Sequence, residues 1–327
     1  MTWRPSANLV TMTATIVVCA LLYVVASYRY HHLGFFTLQV FLDLFRDNAY
    51  LGIAAVGMTF VILSGGIDLS VGAVVGLTGI TLGVLMERHG WHPALAVPLV
   101  LALGTLFGAL QGFMIQTFQL APFFVTLAGM FFARGTALLV STESISLENE
   151  GFLKVTDLAI PLGTAGEHTI PFVTIAFVAV AAIGMYLARW TRFGRFTYAI
   201  GGNEQSAILM GLPVARTKVL VYVYSGFCSA LAGVIWSMQY WSGKATAAEG
   251  MELDAIAAVV LGGTLLSGGI GSVLGTVVGV MILAIIGQIV TLENLTSWWT
   301  RIAVGVLLLL FIVMQKLLTR LGAVRAS

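Results

Sequence analysis

Charge is what this 327-residue chain has least of: Asp, Glu, Lys and Arg together make up 9% of it, against roughly 25% in an ordinary soluble domain. A water-exposed surface cannot be built from that inventory, so soluble globular architectures are excluded. Two cysteines, Cys19 and Cys228, lie in apolar runs; a disulfide framework is excluded, and both read as small buried side chains. A net charge of +2 points to no nucleic acid and no acidic ligand. A phosphate loop of the form Gly-x4-Gly-Lys-Ser/Thr is missing, and the nearest stretch, Gly262-Gly263-Thr264, has no lysine, so the chain does not hydrolyse ATP itself. His31-His32, His89 and His92 fall at the rims of apolar segments and read as solvated. With no metal-ligand spacing and no nucleophile–base pair, neither a metal, a cofactor nor enzyme chemistry is expected.

What is present is apolar length: 59% of residues are hydrophobic and the mean hydropathy is +0.99. A spanning helix needs about 20 apolar residues. Ten candidates follow, at 9–28, 47–64, 70–86, 93–115, 122–140, 171–189, 216–239, 252–266, 272–291 and 297–317. The first is too long for a signal-peptide core of about 7–15 residues and reads as an uncleaved membrane helix. The splits at Gly65-Gly66 and Gly268-Gly269 are equally readable as breaks within helices. The expected fold is all-α: a polytopic membrane helix bundle of about ten transmembrane helices in a single domain, 1–327.

Basic residues orient such a bundle, because they are retained on the cytoplasmic side. A cytoplasmic N-terminus collects Arg4, Arg189, Arg192, Arg195, Arg216, Lys218, Lys316, Arg320 and Arg325 inside, and leaves Arg29, Arg46, Arg88, Lys154 and Lys244 outside. Both termini are then cytoplasmic. The longest outer connection, about 141–170, carries Glu143, Glu148, Glu150, Asp157 and Glu167 and reads as a turn-rich loop.

Glycine is abundant, 37 residues, about 11% against a usual 7%. Gly104, Gly108 and Gly112, and again Gly271, Gly275 and Gly279, place small residues on one helix face, where backbones approach closely in lipid. Two segments echo each other, Leu63-Ser-Gly-Gly-Ile67 and Leu266-Ser-Gly-Gly-Ile270. Repeats with glycine-broken helices are common in transporters, yet the ten-helix topology puts both junctions on the same side, which a simple inverted repeat does not. Asp68, followed by Ser70, reads as the cap of the third helix, or as a functional acid at membrane depth. Arg134, deep in the fifth helix, must face the bundle or a wet cavity, with Asp254 as a possible partner. Arg301 lies a turn beyond Trp298-Trp299, an interfacial belt from which it snorkels outward.

The one polar interruption rich in arginine is central: Arg189, Arg192 and Arg195, then Gly201-Gly202-Asn203-Glu204-Gln-Ser-Ala207 and Gly211, with Arg216 and Lys218 beyond. Asn203 is a good N-cap for a short amphipathic run that Gly211 and Pro213 end. A helix that short is marginal alone in water and needs a partner surface, protein or lipid.

This loop, Tyr198-Ala-Ile-Gly-Gly-Asn203 through Ala207 and Gly211, resembles the coupling-helix region of permeases in bacterial ribose-type ABC sugar importers. Gly57-Met-Thr-Phe-Val-Ile-Leu-Ser-Gly-Gly-Ile-Asp-Leu-Ser-Val-Gly72 and Gly262-Gly-Thr-Leu-Leu-Ser-Gly-Gly-Ile-Gly-Ser-Val-Leu-Gly275 are similar to that family's two glycine-rich blocks, in matching order over about 40–317. Thr126-Leu-Ala-Gly-Met-Phe-Phe-Ala-Arg134-Gly and Glu252-Leu-Asp-Ala-Ile256 look closest to one permease of the galactofuranose importer. The resemblance implies a bacterial inner-membrane subunit translocating a monosaccharide, a pentose or furanose-form hexose. It implies as partners a cytoplasmic sugar-type ATPase, a periplasmic sugar-binding protein and a second, different permease chain. Gly201, Gly202, Asn203, Ala207 and Gly211 would then couple to the ATPase; Thr59, Ser64, Asp68, Ser70 and Arg134 are candidates for the path or gate. Polar groups within the spans are few, Thr78, Gln111, Gln116 and Thr126 being the others, so weak sugar binding there is expected. Two alternatives stand beside this reading: a single-chain secondary transporter using Asp68 and Arg134 for ion coupling, and a membrane assembly subunit without flux.

Overall fold

The computed structural model describes residues 7–162 and 168–324. Arg4, Glu167 and Arg325, and the side chains of Lys316 and Arg320, lie outside the described residues. The described chain is a polytopic helical bundle. Its helices are α1 (Ala7–Arg29), α2 (Leu38–Asp47), α3 (Ala49–Leu63), α4 (Val71–Gly83), α5 (Pro93–Thr117), α6 (Pro122–Val140), α7 (Glu150–Thr156), α8 (Phe172–Trp190), α9 (Arg192–Gly202), α10 (Glu204–Leu209), α11 (Val214–Tyr240), α12 (Met251–Leu261), α13 (Val273–Leu292) and α14 (Ser297–Val324). Every expected span coincides with a helix, but three expectations need correcting. The eighth ends at Leu261 rather than 266, because Gly262 and Gly263 turn the chain, Gly263 at φ +89°. The connection 141–170 is not merely a loop: it holds α7 and a short antiparallel ribbon, Ala159–Leu162 with His168–Pro171. A second ribbon pairs Ile145–Ser146 with Ser242–Gly243, so the bundle carries two small β elements. The amphipathic α2 was not anticipated, its apolar run being short and interrupted by Asp43 and Arg46.

Among the described residues seven helices are long and apolar enough to cross a membrane, and α3 is too short to count among them. At 1.5 Å per residue, α3 reaches about 22 Å and α12 about 16 Å, short of the roughly 30 Å hydrocarbon core. α3 is buried on nearly every face; α12 is buried over its last turns, Ala257–Leu261, with Leu253 exposed nearer its start; both stop at a glycine turn. Position in the bundle follows from pattern. On α5 only a stripe is buried, Gly104, Gly108, Gln111, Gly112 and Ile115 among it, while Leu106, Leu110 and Phe113 are exposed, as lipid-facing residues are.

The stripe meets α11, the central helix. A Cβ at Gly108 would collide with the Tyr222 carbonyl, and one at Gly112 would stand 2.9 Å from the Val219 Cα. Only glycine permits that approach, and in lipid close packing is what holds helices together. On the other side, a Cβ at Gly279 would strike the Ala258 carbonyl, so α13 lies equally close on α12. Gly271, expected on the same helix face, instead precedes α13 at φ +151°. Thr59 and Thr276 bond through their hydroxyls at 2.7 Å, fully buried between α3 and α13.

Candidate functional site

The two Leu-Ser-Gly-Gly-Ile segments, more than 200 residues apart in sequence, meet in space. The Gly269 amide donates to the Leu63 carbonyl at 3.0 Å. Gly65, Gly268 and Gly269 all adopt positive φ, at +82°, +84° and +76°, a conformation that costs glycine little. A Cβ at Gly268 would stand 2.9 Å from the Gly65 nitrogen. Both junctions therefore do lie at one end of the bundle, as an echo on one side requires.

The arginine-rich central segment docks on this junction. A Cβ at Gly201 would collide with the Leu63 carbonyl and stand 2.5 Å from the Gly269 amide. Tyr198, a turn earlier on α9, donates its hydroxyl to the Gly271 carbonyl at 2.9 Å; burial pushes its ionisation above the ordinary range, so it remains a donor. One helix thus touches both glycine loops. Thr191 caps α9 by accepting from the Gly194 amide at 3.3 Å, and Asn203 caps α10 by accepting from the Ser206 amide at 2.8 Å. Gly211, at φ +73°, ends it. Gly202 has open space where a side chain would be.

Ala207 faces the other way from its expected role. It is fully buried within the chain, packed in a cluster with Ile200 and Val214, because positions 200, 207 and 214 all turn toward the bundle. What α10 and the residue after it present outward are Ile208, Leu209 and Met210, exposed by 56%, 87% and 67%. They belong to the amphipathic run that the sequence places after Asn203, but which of its residues face outward is not legible without the fold.

Asp68 is not a cap of α4 in the usual sense. Its Oδ1 accepts from the Ser70 amide at 2.9 Å and the Ser70 hydroxyl at 2.6 Å, an Asx turn ahead of the helix. Its Oδ2 accepts from the Ser225 hydroxyl on α11 at 2.8 Å, and Ser70 also reaches the Gln111 side chain at 3.2 Å. Asp68 is 2% exposed and Ser70 2%, so this cluster ties α4, α5 and α11 together. Thr126 adds a bond to the Ile67 carbonyl at 3.2 Å. Ser225 and Tyr222, three residues apart on α11, could have been found as a polar pair on one face of an apolar run.

Arg134 is remote from this cluster. It donates to the carbonyls of Ala245 and Ala247 at 2.7 and 2.8 Å, clamping the connection between α11 and α12; Asp254 is not its partner but lies in the field of Arg301. Arg301 itself is exposed and stacks over Trp298 at 5.3 Å. Thr59 is spent on the Thr276 contact. Of the path candidates, Ser64 lines a cavity, about 310 Å3 in volume, between the glycine junction and α11.

The family model for permease components of branched-chain amino acid transport systems matches residues 40–312. The chain belongs to this permease family. It is 47% identical to the inner membrane ABC transporter permease protein YjfF of Escherichia coli, over 90% of this chain and 88% of that protein. It is 38% identical to the fructose import permease FruG of Bifidobacterium longum, over 90% and 86% of the two chains. Against the ribose import permease RbsC of Haemophilus influenzae the identity is 37%, over 91% and 92%. No solved structure matches. The permease is thus a multi-pass membrane protein, and the α9–α10 segment with its glycine junction lies inside the matched region.

Proposed function

We propose that this permease is one of two membrane subunits of an ATP-driven importer in a bacterial inner membrane, carrying a monosaccharide delivered by a periplasmic binding protein. The relatives named for ribose and fructose import support a sugar as cargo; within that class a pentose or furanose-form hexose, galactofuranose in particular, is the narrower reading. Ten crossings with both termini cytoplasmic account for the basic bias, α3 and α12 entering from outside and stopping at the glycine junction. The second permease is a different chain.

The observation that carries the proposal is α9–α10. It offers Ile208, Leu209 and Met210 to a partner while Gly201 and Tyr198 rest on both glycine loops. A cytoplasmic ATPase gripping that apolar trio would move the loops at the ends of α3 and α12 together. Coupling is then the difference in contact free energy between the ATPase and two arrangements of the permease. Gly201, Gly202, Asn203 and Gly211 shape the element, and Ala207 anchors it to the bundle. Ser64, Asp68 and Ser70 are proposed as parts of the gate, whereas Arg134 acts as a clamp on the outer connection. The secondary-transporter alternative needs Asp68 and Arg134 as a coupled pair, and Arg134's bonds to two carbonyls do not favour it.

The test is reconstitution. Proteoliposomes holding the permease, its paralogue and the ATPase are expected to take up sugar only with binding protein outside and ATP at the α10 side. Uptake by the permease alone, driven by an ion gradient, would replace this reading with the secondary transporter; association with the ATPase without any flux would favour an assembly subunit.

A further inference from the structure

Beside the glycine junction, the cavity of about 310 Å3 is walled by groups from several elements. Ser64 and Ser267 come from the twin loops, Glu204 from the start of α10, and Lys218 and Tyr222 from α11. We infer that this cavity binds one molecule of the transported sugar within a single permease chain, in contact with the coupling segment; the inference rests on the sugar-permease reading above.

Three features select a neutral polyol. Tyr222 is 2% exposed, and its hydroxyl has no hydrogen-bond partner in the protein. It lies against Gly66, another wall of the cavity: a Cβ there would stand 2.5 Å from the hydroxyl oxygen. A buried hydroxyl left unpaired is costly, and native interiors rarely contain one without a reason. A sugar hydroxyl at that point would satisfy it. The only charges among the lining residues are Lys218 and Glu204, and they are paired with each other at 2.5 Å. The pair leaves no net charge in the wall to hold an anion or a cation, whereas a vicinal diol can donate to Glu204 and accept from Lys218. Finally, the volume sits at the lower end of ligand pockets, roughly 300–1,000 Å3, which suits a single sugar ring; Ile115 and Ile200 supply apolar wall for its C–H face.

The test uses the purified permease–paralogue–ATPase complex without the periplasmic binding protein, so that any sugar retained is held by the membrane part. Tritiated D-ribose, D-xylose, D-fructose and galactofuranose are titrated in a scintillation-proximity assay, alongside uptake by the complete importer. Saturable binding of the sugar that the importer carries is expected, and Tyr222→Phe should weaken it by about fivefold to tenfold, the loss of one hydrogen bond. Its melting temperature should not fall, because only an unpaired hydroxyl is removed. A tyrosine with a purely packing role would leave binding unmoved. Ser267→Ala, at an exposed position, carries the same expectation should Tyr222→Phe fail to assemble. The site is overturned if a transported sugar shows no saturable binding, or if both variants bind like the wild type. If the complete importer carries none of the four sugars, the sugar-permease reading itself falls, and this site with it.

Discussion

Asp68 shows how a buried acid can be held by neutral donors alone. It accepts from the Ser70 amide and hydroxyl and from the Ser225 hydroxyl, a full set that leaves little unpaired. Asp68→Asn keeps one carbonyl oxygen for Ser70, and Ser225 can accept from the new amide. Asp68→Leu strands the Ser225 hydroxyl and the Ser70 amide, at about 1–3 kcal/mol each, and leaves the Ser70 hydroxyl with Gln111 alone. The expected outcome is near-normal membrane levels for Asn and a clear drop in melting temperature for Leu, read on the detergent-purified protein. Loss of uptake in Asp68→Asn with unchanged stability would assign the charge itself a role in gating. Ala207 and Leu209 form a second contrast. Ala207→Trp forces an indole into a fully buried position; overpacking costs about 1–3 kcal/mol, so the variant should be less stable even without any ATPase present. Leu209→Asp lies on the 87% exposed position, where surface changes stay within about 0.5 kcal/mol. It should fold normally and fail to copurify with the ATPase. Retained copurification and uptake in Leu209→Asp would take the coupling role away from this trio.

At the scale of elements, α9 is the helix on which the proposed coupling depends, and at Gly201 it meets the junction backbone to backbone. Gly201 has no room for a Cβ against Leu63 and Gly269, so Gly201→Val must part α9 from the junction. Gly202, the next residue and about 100° further round the helix, faces open space and should accept alanine with only the helix-interior cost or gain of about 0.5–1 kcal/mol that the pair carries. Measured side by side, Gly201→Val should abolish ATP-driven uptake while Gly202→Ala retains most of it. Equal loss in both would show that flexibility of the Gly201-Gly202 pair, and not close contact, is what matters. The same logic explains α5 on α11. Their glycine stripe lets two long helices touch through backbone atoms, with Tyr222 and Ser225 left free to face the polar cluster.

For the whole molecule, the arrangement is a bundle whose two incomplete helices, α3 and α12, end on a shared glycine junction, with lipid-facing helices around them. The proposed orientation puts Glu150 and Gln205 on opposite sides of the membrane; both are exposed. Single cysteines at 150 and 205, in a background without Cys19 and Cys228, should react with an impermeant maleimide from outside and inside respectively. Labelling of both from one side would overturn the ten-crossing topology.

The sequence by itself determined the class and most of the helices. Lipid demands that every backbone polar group be satisfied internally, so apolar runs of sufficient length have one structural outcome, and 122–140 appears as α6 without change. It also located the capped segment at Asn203 and the two glycine echoes, because caps and left-handed glycines are local requirements. Tertiary structure alone decided which way side chains on those segments point. Ala207 turns inward and Leu209 outward, Arg134 reaches two carbonyls more than 100 residues away, and the two echoes meet each other and Gly201. In a helix with apolar residues on every side the pattern carries no marker of which face is buried, and a contact between distant glycines has no side chain by which the sequence could announce it.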